Sequence, residues 1–247
     1  MIQPIILAAG KGTRMKSDLP KVLHELGEKI FLRRVVDAVF AAEKLSAPLI
    51  VVGEYENLIK EAIGDSYNYV RQDVQRGTAH AVKICEPHLK NKANSIIVLY
   101  GDHPLITSKS LDNIAEHHLA HRPTITFFTT AVPSFEGWYS AFSSFGRIER
   151  SVSSIKIIEK KDATPEQLLI TELNPGIYCF GADWLWDALS QVRPDNAAGE
   201  YYLTDLIALA VSHKKPIESL NLPPEEALGI NTPEDLQAAK GLIQNIL

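Results

Sequence analysis

Five short apolar runs recur along the chain, separated by more polar stretches. They are Ile5–Ala8, Leu49–Val52, Ile96–Tyr100, Ile125–Thr130 and Ile177–Phe180. Apolar and polar residues show little alternation within these runs, as is typical of strands whose two faces are both covered. The pattern therefore predicts a mostly parallel sheet with helices on both faces.

Helical patterns lie between the strands. The clearest are Leu32–Leu45, Thr78–Leu89 and Ser108–His121. Ser108 is the predicted N-cap of the third, and Thr232-Pro233-Glu234-Asp235 reads as a capping box that starts a further helix directly after Asn231. Alternating strands and helices predict an α/β, Rossmann-like fold with right-handed crossovers. The segment at about 134–171 breaks the alternation and predicts a β-rich lobe over the sheet.

The composition and charge of the chain exclude some classes of function. The chain has 247 residues, 45% hydrophobic and 22% charged, which is ordinary for a globular protein. A formal net charge of −5 and the lack of a basic run argue against nucleic acid as a partner. The apolar runs are too short for a signal sequence or a membrane span, so the expected location is the cytoplasm. Cys85 and Cys179 have no metal-site spacing and are predicted to be small buried side chains.

A loop of small residues and cations, LAAGKGTR at residues 7–14, follows the first strand. Small residues let main-chain N–H groups approach an anion, and a helix after the loop would point its positive end at the same place. Lys11, Arg14 and Lys21 bring three cations near the loop, which suits a triphosphate. The spacing fits neither GxGxxG nor a P-loop. The alternative is that both lysines are solvated surface residues.

The loop sequence LAAGKGTRM (7–15), followed by SDLPKVLHEL (17–26), resembles the sugar nucleotidyltransferases. Within them it is most similar to the uridyltransferase domain of bacterial N-acetylglucosamine-1-phosphate uridyltransferases. The matching motifs continue in order as Gln72, QRGTAHA (75–81), LYGD (99–102), FGRI (145–148), EKKDAT (159–164), NPGI (174–177), GEYYLTD (199–205) and GIN (229–231). The chain departs from the family at Pro175, where threonine is more frequent, and at Ser144-Phe145-Gly146, where Gly-Tyr-Gly is usual.

The resemblance implies one domain, 1–247, with a sugar-binding lobe at about 134–171, that transfers a uridylyl group from UTP to N-acetylglucosamine 1-phosphate in peptidoglycan synthesis. The family's common form continues into a β-helix acetyltransferase domain, but the sequence has no hexapeptide repeats, so no such domain is expected in this chain. The implied nucleotide-binding residues are Leu7, Ala8, Ala9, Gly10, Lys21, Gln72, Gln75, Gly77 and Thr78. The implied sugar-binding residues are Tyr100, Gly101, Gly146, Glu159 and Asn174. Arg14 and Lys21 are implied to be catalytic, and Asp102 and Asn231 to hold Mg²⁺.

Several alternatives stay open on the residues alone. Asp102 follows an apolar strand, where ligands bind in open α/β sheets, although a lone aspartate there is more often a cap. A sister enzyme using glucose 1-phosphate or a different nucleotide, a Rossmann oxidoreductase and a non-catalytic nucleotide-binding regulator are the rival functions. No motif predicts an oligomeric state.

Histidines at 117, 118 and 121 lie close together on the helix predicted at Ser108–His121. No cysteine or further acidic partner in the sequence around them completes a zinc set, so the pattern favours a solvated helix face. His103, beside Asp102, stands where the family usually has a small or apolar residue, and no role is assigned to it.

Overall fold

A computed structural model describes residues 1–151 and 154–246; Val152, Ser153 and Leu247 lie outside the described residues. The strands are β1 (Gln3–Leu7), β2 (Glu25–Leu26), β3 (Lys29–Ile30), β4 (Leu49–Val52), β5 (Asn68–Arg71), β6 (Ser95–Tyr100), β7 (Ile125–Ala131), β8 (Gly146–Ser151), β9 (Ser154–Ile158), β10 (Glu172–Asn174), β11 (Tyr178–Gly181) and β12 (Ile217–Asn221). The α-helices are α1 (Phe31–Ala41), α2 (Glu56–Ile63), α3 (Thr78–Lys83), α4 (Glu86–Leu89), α5 (Ser108–His121), α6 (Ala182–Leu189), α7 (Asp205–Ser212), α8 (Pro224–Ala227) and α9 (Pro233–Ile246).

One large sheet organises the molecule, in the order β5-β4-β1-β6-β11-β7-β10-β8-β9, with β12 added beside β7. The first four strands in this order are parallel to one another. Beyond β6 the strands run antiparallel to their neighbours, except that β12 is parallel to β7. The predicted α/β fold is confirmed, and each of the five apolar runs overlaps a strand of this sheet.

Alternate residues of β1 enter two separate cores. Ile6 packs in a core with α1, α2, α5 and α9, whereas Ile5 and Leu7 pack in a core with α3, α6 and α7. Helices therefore cover both faces of the sheet, as predicted, and Cys85 and Cys179 are buried within these cores. Within the described residues, no helix combines the length and the apolar character that crossing a membrane requires.

The helix predicted at Leu32–Leu45 ends earlier, at Ala41, because Ala42 is extended. The Asp112 carboxylate of α5 accepts hydrogen bonds from the main-chain N–H groups of Glu43 and Lys44, at 3.0 and 2.9 Å. These two donors are thereby satisfied outside the helix, so the chain can leave it without burying unpaired polar groups.

The helix predicted at Thr78–Leu89 is two short helices, α3 and α4, separated by Ile84 and Cys85. Pro87 lies in the first turn of α4, and its ring nitrogen cannot donate to the preceding turn, which explains the break. The predicted cap of α5 is also one residue off. Thr107, and not Ser108, is the N-cap, and its hydroxyl accepts from the Ser110 N–H at 3.2 Å.

The segment around 134–171 contains the β8–β9 hairpin and three 3-10 helices, at Gly137–Ser144, Lys160–Asp162 and Gln167–Leu169. β8 pairs with β10, and β10 with β7, so the hairpin extends the central sheet. Arg147 of β8 is fully buried and donates to the carbonyls of Ser143, Phe145 and Leu168. This guanidinium links the hairpin to the two 3-10 helices beside it.

Candidate active site

Two adjacent parallel strands, β1 and β6, end at the same edge of the sheet. Leu7 is in register with Tyr100, and the Gly101 N–H donates to the Leu7 carbonyl at 3.0 Å. The small-residue loop leaves β1 at this point, and Asp102 follows β6. The carboxyl ends of parallel strands thus bring together two motifs that lie far apart in the sequence.

The larger cavity at this edge has a volume of about 590 Å³. Every residue predicted to bind the nucleotide lines it: Leu7, Ala8, Ala9, Gly10, Lys21, Gln72, Gln75, Gly77 and Thr78. Arg14, Asp102 and Asn231 line it as well. The fold therefore collects the predicted nucleotide, catalytic and metal residues around one space.

The loop after β1 differs from the prediction in one respect. Two short 3-10 turns, Thr13–Met15 and Lys21–Leu23, follow it, and the first α-helix begins only at Phe31. A helix dipole therefore adds nothing here, and that part of the prediction was wrong. In the described part of the chain, no protein acceptor pairs with the main-chain N–H groups of residues 9–12. These residues line the cavity, and main-chain N–H groups without a protein acceptor suit an anionic ligand.

Lys21 bridges the two residues predicted to hold a metal. Its ammonium contacts an Asp102 carboxylate oxygen and lies 2.7 Å from the Asn231 side-chain oxygen. Arg14 also donates to that Asn231 oxygen, at 2.8 Å. The Lys21 side chain is only 13% exposed, which excludes the alternative that it is a solvated surface lysine. Lys11, by contrast, is half exposed and pairs with Glu54 at the rim.

Asn231 is held in place by the predicted capping box. The Thr232 hydroxyl accepts from the Asp235 N–H at 3.1 Å, and the Asp235 carboxylate accepts from the Thr232 N–H at 2.9 Å. The same carboxylate accepts from the Asn231 N–H at 2.9 Å. The Ile230 N–H donates to the Asp102 carbonyl at 2.9 Å, so the start of α9 is fastened directly to the end of β6.

Asp102 stays ionised in spite of its burial. Burial alone would raise the pKa of the carboxyl, but the Lys21 ammonium and a hydrogen bond from His103 outweigh it and hold the pKa well below its usual range. His103 Nδ1 lies 3.2 Å from the carboxylate, and its ring packs against Gly229. His103 therefore contacts Asp102 directly, although its position in the sequence gave it no predicted role.

The donor set at Asp102 and Asn231 fits a hard divalent cation. A carboxylate oxygen and an amide oxygen are the ligand types that Mg²⁺ accepts, with phosphate and water completing its shell. Both oxygens converge on the Lys21 ammonium, so a positive charge already lies between them.

Gln72 and Gln75 lie on the far side of the same cavity. The Gln72 amide donates to His80 Nδ1 at 2.9 Å and to the Gly77 carbonyl at 3.3 Å, and the Gln75 amide donates to the Ala9 carbonyl. Each side-chain NH₂ is thus bound within the protein. This orients the two side-chain oxygens as the acceptors that remain for a ligand.

Gly77 is held between these glutamines and a neighbouring segment. Its φ is +107° and ψ is 176°, a conformation nearly restricted to glycine. On either side of Gly77 the chain pairs with Tyr201. The Ala79 N–H donates to the Tyr201 carbonyl at 2.9 Å, and the Tyr201 N–H donates to the Arg76 carbonyl at 2.8 Å. A side chain at Gly77 would meet this backbone at 2.5 Å.

A second, smaller cavity of about 230 Å³ adjoins the first. Tyr100, Gly146, Glu159 and Asn174, all predicted to bind the sugar, line it. Gly101 lines neither cavity, and its contact with the sugar stays a prediction. It faces the core instead, with Val22 and Leu32 at 3.1 and 3.2 Å from the position of a side chain.

Glu159 has an unusual environment for a carboxylate. It accepts a hydrogen bond from the Thr204 hydroxyl at 3.0 Å. Burial raises its pKa, and the neighbouring carboxylates Asp162, Asp205 and Glu200 raise it further, against the Thr204 hydrogen bond that lowers it. A half-buried carboxylate that lines a cavity and has one oxygen without a protein partner is suited to accept a hydrogen bond from a hydroxyl or amide group.

The two cavities share one wall. It consists of Arg14, Thr78, Tyr100, Asp102, Glu200 and Asn231. The smaller cavity is also lined by Glu200, Tyr202 and Thr204, residues with no predicted role. They belong to the GEYYLTD motif quoted above, so the signal that could have identified them was present.

The sequence matches a known family model, that of the MobA-like NTP transferase domain, over residues 4–201. Curated relatives include the bifunctional protein GlmU of Brevibacillus brevis, 36% identical over 246 residues, which cover 98% of this chain and 52% of the relative. The bifunctional protein GlmU of Desulfitobacterium hafniense is 40% identical over 238 residues, which cover 96% of this chain and 51% of the relative. The chain thus spans about half the length of these curated relatives, and the predicted resemblance is confirmed.

Solved structures agree on the fold. A putative glucose-1-phosphate thymidylyltransferase from Bacillus anthracis, in complex with a sucrose, superposes with a TM-score of 0.75 at 20% identity and covers 100% of this chain and 97% of its own. A UDP-glucose pyrophosphorylase complexed with UDP-glucose gives a TM-score of 0.74 at 18% identity and covers 99% of this chain and 100% of its own.

Proposed function

The chain belongs to the MobA-like NTP transferase domain family and is a nucleotidyltransferase, and from this premise we propose that it transfers a uridylyl group from UTP to N-acetylglucosamine 1-phosphate. The products are UDP-N-acetylglucosamine and pyrophosphate. The proposal is supported by the ordered motifs of the sequence and by curated relatives that match almost the whole chain.

One observation carries the proposal: the two cavities share a wall of charged and polar residues. Arg14, Asp102 and Asn231 belong to both linings. A nucleotide in the larger cavity and a sugar phosphate in the smaller one would therefore present their phosphates to the same residues. This is the arrangement that a bisubstrate phosphoryl transfer requires, because it brings the reacting groups together.

The reaction needs no protein base. A sugar phosphate is already anionic at neutral pH, so its oxygen can form the new bond to the α-phosphorus while the bond to the β-phosphate oxygen breaks. Both electrons of that bond leave with pyrophosphate. The protein then has to align the two groups and offset negative charge. In this proposal Arg14 and Lys21 supply positive charge, and the N–H groups of residues 9–12 hold the phosphates.

Asp102 and Asn231 would hold a divalent cation, which we take to be Mg²⁺. When bound, such an ion offsets the negative charge that develops on the phosphate oxygens. Binding it requires Lys21 to leave its position between the two oxygens. The flexible lysine side chain can do so by moving its ammonium toward the phosphates, where it serves as a further cation.

The orientation of the glutamines supports a preference for uracil. The amide NH₂ groups of Gln72 and Gln75 are used within the protein, so their oxygens are left to accept a hydrogen bond. Uracil offers an N3–H donor, whereas cytosine has an unprotonated N3 acceptor. A cytosine in the same position would face an acceptor with an acceptor, which is unfavourable.

A panel of nucleotides and sugar phosphates tests the function. We expect kcat/KM for UTP to exceed that for CTP, ATP and GTP by about ten- to a hundredfold, the effect of one lost polar pairing. N-acetylglucosamine 1-phosphate should be the best acceptor. Pyrophosphate release is the readout. Faster turnover of glucose 1-phosphate would refute N-acetylglucosamine 1-phosphate as the acceptor but would leave the proposed type of reaction unchanged. Nucleotide binding without pyrophosphate release would favour the non-catalytic alternative.

Glu159→Gln is expected to weaken the acceptor selectively. KM for the sugar phosphate should rise about tenfold, because a hydrogen bond to a charged acceptor becomes one to a neutral acceptor. KM for UTP should stay within about twofold, since Glu159 does not line the larger cavity. Initial rates over a grid of both substrates separate the two constants. An unchanged acceptor KM would remove Glu159 from the sugar site.

A further inference from the structure

A cluster of metal-binding side chains lies outside both cavities. His117 and His121 occupy the last turns of α5, one helical turn apart, and Glu218 projects from β12. Each offers one ligand atom, and these atoms all lie within 4.8 Å of one another. Across residues 1–151 and 154–246, no other group of three such side chains is this close.

We infer that His117, His121 and Glu218 form a surface site for a divalent transition metal, with Zn²⁺ as the ion it takes. Two imidazole nitrogens and one carboxylate oxygen are a donor set found in zinc sites. Ligands around tetrahedral zinc, at about 2.0–2.1 Å from the metal, stand about 3.4 Å apart. Small rotations of these side chains reach that spacing, and a water molecule would complete the shell.

The contacts within the cluster already resemble a ligand set. His117 Nε2 and one Glu218 carboxylate oxygen are in contact, and His121 Nδ1 lies 3.8 Å from that same oxygen. The two imidazole rings are 4.2 Å apart between centroids. His121 Nδ1 also lies 3.1 Å from the His117 carbonyl. Binding a metal through Nδ1 would exchange this contact with the His117 carbonyl for the metal.

The helix and the strand that carry the cluster, α5 and β12, are both held against strand β7. His118 points inward, is buried, and contacts the Thr126 hydroxyl of β7 at 2.9 Å, so the prediction that all three histidines lie on a solvated face was wrong for this one. Glu218 is in register with the same Thr126. α5 and β12 are therefore fixed to one strand, while His121 is exposed enough for an ion to enter.

The site lies far from the proposed chemistry. β7 runs parallel to β6, because both are antiparallel to β11, and Thr126 is near the start of β7. Glu218 therefore lies at the edge of the sheet where β6 begins, opposite Asp102. The oxygen ligands at Asp102 suit Mg²⁺ and the imidazoles suit Zn²⁺, so the two ions would be sorted by ligand chemistry.

The test is zinc binding to the full chain without a histidine tag, stripped of metal and kept in excess Mg²⁺. Titration calorimetry should give a single Zn²⁺ per chain, and linkage predicts a rise in Tm of roughly 5–10 °C at about a hundred times the Kd. His117→Ala, His121→Ala and Glu218→Gln should each weaken binding at least tenfold. His213→Ala, an exposed histidine outside the cluster, should leave it unchanged.

Cobalt(II) gives a second readout, because four-coordinate cobalt absorbs visible light far more strongly than the hydrated ion. Circular dichroism of each variant shows that the fold is kept. Equal binding by the wild type and the His117→Ala and Glu218→Gln variants would overturn the proposal, as would a wild-type chain that takes up no zinc. The absence of zinc uptake would make the cluster a hydrogen-bonded His117–Glu218 pair with the tilted His121 ring beside it.

Discussion

Replacing Asp102 with alanine is expected to lower turnover about a hundredfold or more, by analogy with the loss of one preorganised electrostatic contact. In the proposed reaction Asp102 is the one charged ligand that the protein offers the metal, beside the neutral Asn231. The fold should survive, because the Lys21 ammonium keeps its contact with Asn231 and lines the larger cavity. Asn231→Ala should reduce turnover less, since a neutral oxygen holds a cation more weakly than a carboxylate does.

Pyrophosphate release across a magnesium titration measures the Asp102→Ala effect, with circular dichroism as the check on folding. Asp112→Ala is a matched control. That aspartate also accepts two hydrogen bonds, but it lies on α5 and its loss should affect stability without changing turnover. Near-normal turnover by a folded Asp102→Ala protein would remove the metal site and the mechanism built on it.

Gly77→Ala should destabilise the protein by about 3 kcal/mol or more in its free energy of unfolding and raise KM for the nucleotide. The new methyl group would stand 2.5 Å from the Tyr201 carbonyl oxygen and 2.8 Å from its nitrogen, and neither backbone atom can move alone. The residue's φ of +107° adds strain of its own. Relief of this clash would shift the segment that pairs with residues 76–79 beside the glutamines.

Gly199→Ala provides the comparison for this variant. Gly199 also has a positive φ, +64°, but a side chain there would meet nothing within 4 Å. Its substitution should cost only about 1–2 kcal/mol, the strain of a left-handed backbone. Urea unfolding of both variants isolates the contribution of the clash. Equal losses for the two would show that Tyr201 accommodates the methyl group and would refute the crowding described here.

The strands and the residues of the nucleotide cavity were the features that the sequence predicted best, and the reason is physical. A strand buried on both faces needs a continuous apolar run, and β4 coincides with its predicted bounds, Leu49–Val52. The small-residue loop follows such a strand directly, so its position at the carboxyl edge was fixed by local pattern and chain direction. The motif resemblance then supplied the residues of the cavity, whose roles stay predictions.

The predictions from sequence were wrong or incomplete where a residue far away in the sequence makes a contact that the local sequence pattern does not reveal. Glu43 and Lys44 continue a helical pattern, but the Asp112 carboxylate accepts hydrogen bonds from their main-chain N–H groups, so the chain leaves the helix before them. Glu218 is 101 residues from His117, so the acidic partner of the histidines was invisible to spacing rules.

The Lys21 ammonium between Asp102 and Asn231 has a consequence for the order in which the proposed substrates and metal can bind. With the lysine as an internal counter-ion, the nucleotide-free pocket offers free Mg²⁺ little unneutralised charge. A metal that arrives already bound to the triphosphate brings the phosphates that draw the lysine away. The pocket would then exchange one cation for another, and favour a metal–nucleotide complex over either component alone.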